Sequence, residues 1–188
     1  MKLLLTTILA SILIGCGGTT ENTTKANEHS NVLPNSFFTT ERPSDVKDLV
    51  EVKKTAKKGD EVTFLARIGG RKNSSFVPTL SMMIVADPAL VSCEVMSEED
   101  HCATPEDYCC EEREKLNAGL GTIRFMDESG DAYPISVDGD HDMEILKYVV
   151  ISGKVHDISE SGNFIVDASK VWVGGKPHYG DLRAGSGE

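Results

Sequence analysis

From Glu61 onward the apolar residues of this chain recur at every second position, in short runs cut by Gly, Asp, Asn and Pro. A period of two sends successive side chains to opposite faces of a strand, so each run can bury its apolar face only by joining other strands. In EVTFLARI (residues 61–68) Val62, Phe64, Ala66 and Ile68 share a face before Gly69 and Gly70 end the run. LSMMIVA (80–86) is a second strand, stopped by Asp87 and Pro88. Residues 122–126 and 132–137 flank Asp127-Glu128-Ser129-Gly130-Asp131, a hairpin turn by composition. Residues 148–155 and 164–173 complete the set, and residues 138–146 have room for one or two helical turns. The expected fold class is mainly β.

One short helix is expected ahead of these strands. Ser44 can act as N-cap, and Val46, Leu49, Val50 and Ala56 fall near one face until Gly59-Asp60 ends the run. Lys53, Lys54, Lys57 and Lys58 would gather near its C-terminus, where they complement the helix dipole as solvated side chains. A docking patch for anionic partners is the alternative. At 188 residues the chain has room for one ordinary domain, placed at 44–173, plus a leader and tails. Residues 16–43 are rich in Thr, Asn, Ser and Gly and read as a flexible spacer; the Gly-rich residues 174–188 read as a flexible tail. A net charge of -11 disfavours a general grip on nucleic acid.

The N-terminus reads Met1-Lys2, a mostly apolar run over 3–14, then Gly15-Cys16. That is the layout of a signal peptide over 1–15, with a run shorter than the ~20 apolar residues of a spanning helix. Leu13-Ile14-Gly15-Cys16 resembles the lipobox of bacterial lipoproteins. The resemblance implies lipidation of Cys16, with diacylglyceryl and palmitate-type chains, and a lipid-anchored place in the bacterial cell envelope. Gly17, where Asp would favour inner-membrane retention, leans this towards the outer membrane facing the periplasm.

The order GDEVTFLARI, TIRFMDESGDAYPISV, a short helix, LKYVVISGKV and NFIVDASKVWV resembles an OB-fold, the five-stranded Greek-key barrel. Gly153, inside a strand, suits a sharp bend in such a barrel. On this alignment about fifty residues, 69–120, form an insertion between the first and second barrel strands and carry every cysteine except Cys16. Ala86-Asp87-Pro88-Ala89-Leu90 and Thr104-Pro105-Glu106-Asp107-Tyr108-Cys109-Cys110 are similar to exported bacterial lipoproteins in which a T-P-x-D-Y-C-C motif interrupts an OB-like domain. That resemblance brings no activity with it.

Cys93, Cys102, Cys109 and Cys110 fall within eighteen residues. An even number in an exported chain favours two disulfides, with three possible connectivities. Residues 106–115 read as a helix behind Thr104-Pro105, and adjacent helical side chains diverge by about 100 degrees, so Cys109 and Cys110 would each reach a different partner. A metal reading competes. Cys93, His101, Cys102, Cys109 and Cys110 could ligate zinc or copper, although no C-x-x-C knuckle is present. Thiol redox chemistry is a further alternative, opposed by the carboxylates around the pair, which would raise the thiol pKa.

Asp138, Asp140 and Asp142 begin like a calcium loop, but Met143 stands where an EF-hand needs Gly and Val149 where it needs Glu. Phe64, Phe125, Tyr133, Tyr148, Phe164 and Trp172 could form the stacking platform with which OB-folds bind single strands; most fall at core positions, and Arg67, Arg71 and Lys72 are a thin cationic lining. No catalytic motif is found. The expectation is a lipid-anchored, non-enzymatic binding module with no cofactor, whose partner is an envelope protein or small ligand. The cysteine insert would be a disulfide-braced flap beside the barrel face. The alternatives are a metal-binding or thiol-redox lipoprotein and a single-strand nucleic-acid binder.

Overall fold

The structure, a computed structural model, describes residues 31–70, 75–93, 108 and 110–176. The two longest strands, β5 (Tyr148–Ile158) and β6 (Phe164–Val173), pair antiparallel. The others are β1 (Lys47–Asp48), β2 (Glu61–Ile68), β3 (Met82–Ala86) and β4 (Leu120–Arg124), with helices α1 (Leu49–Lys53) and α2 (Arg113–Gly119). Around the sheet the order is β1-β2-β3-β4-β6-β5, and β2 also pairs with β5 over seven residues, from Glu61↔Lys154 to Arg67↔Tyr148. That contact closes five strands, β2 to β6, into a barrel. β4 and β6 run parallel, and the other barrel pairs are antiparallel. This is an OB-fold-like barrel, mainly β, with β1 as an extra strand beside β2.

Alternation builds the interior as the sequence requires. Phe64, Ala66 and Ile68 from β2 meet Met83 and Val85 from β3, Ile123 from β4, Val149, Ile151 and Val155 from β5, and Phe164 and Val166 from β6. The register of β5 against β6 shifts at Ser152/Gly153. Gly153 is there because a Cβ would overlap the carbonyl oxygen of Asp167 on the neighbouring strand.

The strands that close the barrel differ from the expected set. β3 is the second barrel strand and β4 the third, so the cysteine segment lies between the second and third strands, over 87–119, and not between the first and second. Residues 132–137 form no strand; they keep one bridge, Ala132↔Met126, and send Val137 into the core. Pro134 has no N–H to give a ladder there. The turn between them is as expected, with Asp127 Oδ1 accepting the N–H of Ser129 and Asp131 at 2.8 and 3.0 Å.

Four other expectations are corrected. Residues 31–43, read as spacer, are packed on the barrel: Leu33 is buried, Phe37 and Phe38 lie against Phe125, and Thr39 N–H donates to Val171 O at 3.0 Å. This strap is held by Asp140, which accepts the Leu33 N–H at 2.7 Å, and by His141, whose ring stacks on Phe38 at 3.7 Å. The first helix spans five residues, not the run from Ser44 to Gly59, and its Val50 N–H is capped by Asp87 Oδ2 at 2.7 Å. The cysteine-segment helix begins at Arg113, so Cys110, Glu111 and Glu112 precede it. The expected tail likewise begins later, since Tyr148 still exchanges hydrogen bonds with Gly174 and Gly175. Residues 1–30 and 177–188, with the signal peptide and Cys16, lie outside the described residues.

Candidate functional site

The outward positions of β3 and β4 make a shallow groove. Ile84 stands opposite Thr122, and Leu120 opposite Ala86. Gly70 on one side and Gly162-Asn163, from the β5–β6 loop, on the other complete a groove of about 290 Å³. Gly70 is at φ +124°, and a Cβ there would come 2.7 Å from Leu120 Cδ2 and 3.1 Å from Ile84 Cγ2. Glycine therefore permits both the turn and the open floor. In OB-folds this is the face, strands two and three with their flanking loops, on which oligonucleotides and oligosaccharides bind.

Lys53 sets one rim. Its ammonium donates to the carbonyls of Asn117, Leu120 and Gly162 at 2.7, 2.8 and 2.8 Å, so one side chain ties α1 to the end of α2, the start of β4 and the β5–β6 loop. Burial pulls its pKa down to about 8. The expected solvated lysine cluster thus holds for Lys54, Lys57 and Lys58, which are exposed, and fails for Lys53.

The other end of the face is covered. Ala86, Leu90 and Tyr108 form a second apolar cluster with Leu116 and Leu120 packed against it, and the outward side chain of Arg67 lies beneath them at zero exposure. Its Nη2 donates to the Leu90 carbonyl, and its Cζ sits 5.9 Å from the centre of the Tyr108 ring. Burial pushes the Tyr108 hydroxyl up to about 12, against the lowering effect of Arg67. Arg67 is therefore no part of a surface lining for phosphates. Arg71 and Lys72 lie outside the described residues.

Of the cysteines, Cys93 is buried and Cys110 exposed, and no disulfide is formed among the described residues. His101, Cys102 and Cys109 lie outside them. Among the described residues no group of three or more His, Cys, Asp or Glu side chains is placed to hold a metal. Of the expected aromatic platform, Phe64, Phe125 and Phe164 are core, and Tyr133, Tyr148 and Trp172 are half-buried away from the groove lining. Arg124, on the outer face of β4, is neutralised by Asp167 at 2.6 Å.

Sequence reasoning missed the burial of Arg67 and the anchoring of Lys53. Period two marks Arg67 as outward, and the apolar residues Leu90 and Leu116 that help to cover it were the available signal. Fold and site together define an OB-fold-like barrel with an open groove on one outer face and a covered arginine beside it. Comparison with protein-family models, curated proteins and solved structures finds no match.

Proposed function

We infer that this chain is a lipid-anchored binding module of the bacterial envelope, non-enzymatic, which takes an envelope protein or small ligand on the β3–β4 face. The groove bounded by Gly70, Ile84, Thr122 and Asn163 carries this reading: it is open, and rigid barrel strands and the Lys53 contacts hold its walls. The lipobox-like Leu13-Ile14-Gly15-Cys16 supports the anchor. With Leu33 seated on the barrel, the 17 peptide steps from Cys16 could span at most roughly 60 Å, so the groove would work close to the membrane.

In this reading Cys93, Cys102, Cys109 and Cys110 pair on export and brace the segment that covers Arg67. The neutralised Arg124, the buried Arg67 and the core position of the phenylalanines weigh against single-strand binding.

The test is capture from envelope extract by the tagged protein, by a Thr122→Trp variant that fills the groove, and by Lys154→Glu on another strand. A partner kept by the wild type and Lys154→Glu but lost by Thr122→Trp supports the assignment. Equal capture by all three overturns it. Mass spectrometry on exported protein should find no free thiol among the four cysteines; four thiols with bound zinc or copper would favour the metal reading. Cys16→Ser should abolish palmitate labelling and release the protein from the membrane fraction.

A further inference from the structure

Among the described residues no carboxylate forms an ion pair with the buried guanidinium of Arg67. Nη2 is bonded to the Leu90 carbonyl, but Nε and Nη1 have no hydrogen-bond partner among the described residues. At least three of its five N–H donors therefore have no partner among the described residues. The Tyr108 ring offers cation–π attraction, which orients a guanidinium without neutralising it. Asp87 follows Ala86, the residue paired with Arg67, but its oxygens are engaged elsewhere: Oδ2 accepts from Val50 N–H at 2.7 Å and Oδ1 from Ala89 N–H at 2.9 Å. A second buried group points the same way. Ser92, two residues beyond Leu90 and at zero exposure, has a hydroxyl with no partner among the described residues. A buried arginine cannot escape by losing its proton, as a lysine can, so the cost persists until an acceptor arrives.

We propose that Arg67 and Ser92 form an internal binding site for a small monocarboxylate, held on the outer face of β2 beneath Leu90 and Tyr108. The planar guanidinium fork matches a carboxylate in shape and hydrogen-bond direction. Charge selects the same class. One negative charge balances Arg67, whereas a dianionic phosphate would leave an excess beside the buried Asp87. The surrounding Ala86, Leu90, Tyr108 and Leu116 suit a short hydrocarbon remainder. This site is separate from the ligand of the open groove, and either assignment can fail without the other.

The test is thermal unfolding of the purified protein in acetate, propionate, inorganic phosphate or chloride at constant ionic strength. The midpoint should rise with the logarithm of acetate or propionate concentration, because a ligand that binds the folded state alone stabilises it by mass action. Chloride should have no such effect, and phosphate a smaller one. Arg67→Met should abolish the rise, and in acetate-free buffer it should melt no lower than the wild type. Ser92→Ala should weaken acetate about 3- to 10-fold, the loss of one hydrogen bond.

A midpoint unmoved by acetate and propionate, or a rise that survives in Arg67→Met, overturns the proposal; phosphate matching acetate overturns the monocarboxylate assignment. If Arg67→Met does not fold, the Arg67 Nε–H resonance of the wild type decides. A shift on acetate titration supports the site. A resonance indifferent to acetate, as when a carboxylate of the chain itself already fills the fork, removes it.

Discussion

Two apolar clusters lie on opposite sides of the same barrel wall, and they are built differently. Inside, Phe64, Met83, Ile123, Ile151 and Val166 come from five strands spread over most of the domain, and hydrocarbon meets hydrocarbon. Outside, Leu90, Tyr108 and Leu116 come from one segment between β3 and β4, and they cover a charged side chain. The inner cluster joins long-range partners, so it should melt as a unit. The outer one joins a single excursion to the wall, so it can loosen while the barrel stays folded.

Substitutions can break or sharpen that contrast. The largest effect is expected at Phe64→Ala, which removes a fully buried ring from the centre of the interior. It should cost about 3–5 kcal/mol, read as the shift in a urea midpoint, with every strand losing protection together. Leu33→Ala should cost about 2–4 kcal/mol because the strap is part of the core; a change near zero would return residues 31–43 to the role of spacer. Leu90→Ala should cost less, about 1–2 kcal/mol, because the outer cluster opens locally. Hydrogen exchange should quicken over 87–119 and stay unchanged in β5 and β6. Equal quickening in β5 would mean that the two clusters are one.

The smallest effect concerns pH. Burial brings Lys53 down to about 8 from 10.5, so between those values the unfolded chain holds a proton that the folded chain has lost. Stability relative to a Lys53→Met variant should therefore rise as pH increases across that window, and level off below about 8. Denaturant curves for both proteins at pH 7 and pH 10 give the comparison, and a relative loss of wild-type stability at the higher pH would contradict it.

The barrel was legible because its evidence is local. Alternation in EVTFLARI, LKYVVISGKV and NFIVDASKVWV marks strands without reference to partners, and Gly153 marks a bend. Which strand neighbours which is a long-range fact. Residues 80–86 read as a strand, and Met82–Ala86 form one, but the two arms of the Asp127–Asp131 turn mimic successive barrel strands and make it look inserted. The strap reads as spacer, with at most a local docking of Phe37 and Phe38, for a related reason. Leu33, Phe37 and Phe38 are few among polar neighbours, and their value depends on a receiving surface made by Phe125, Tyr133 and His141. Arg67 was hidden by the rule that found its strand: an outward position is wet unless something distant covers it. Of the candidate site, the groove needs β3 beside β4, a pairing the expected insertion excludes, and Lys53 and Arg67 depend on tertiary contacts from residues 90–162.

Closure of the ring by β2 and β5 has a consequence for molecules crowded side by side. β5, matched by β2 on one flank and by β6 on the other, offers a neighbouring copy little to zip onto, and β1, the added strand at the rim, is just two residues long. Packed shoulder to shoulder at high density, such cylinders have little means of templating one another into fibrils.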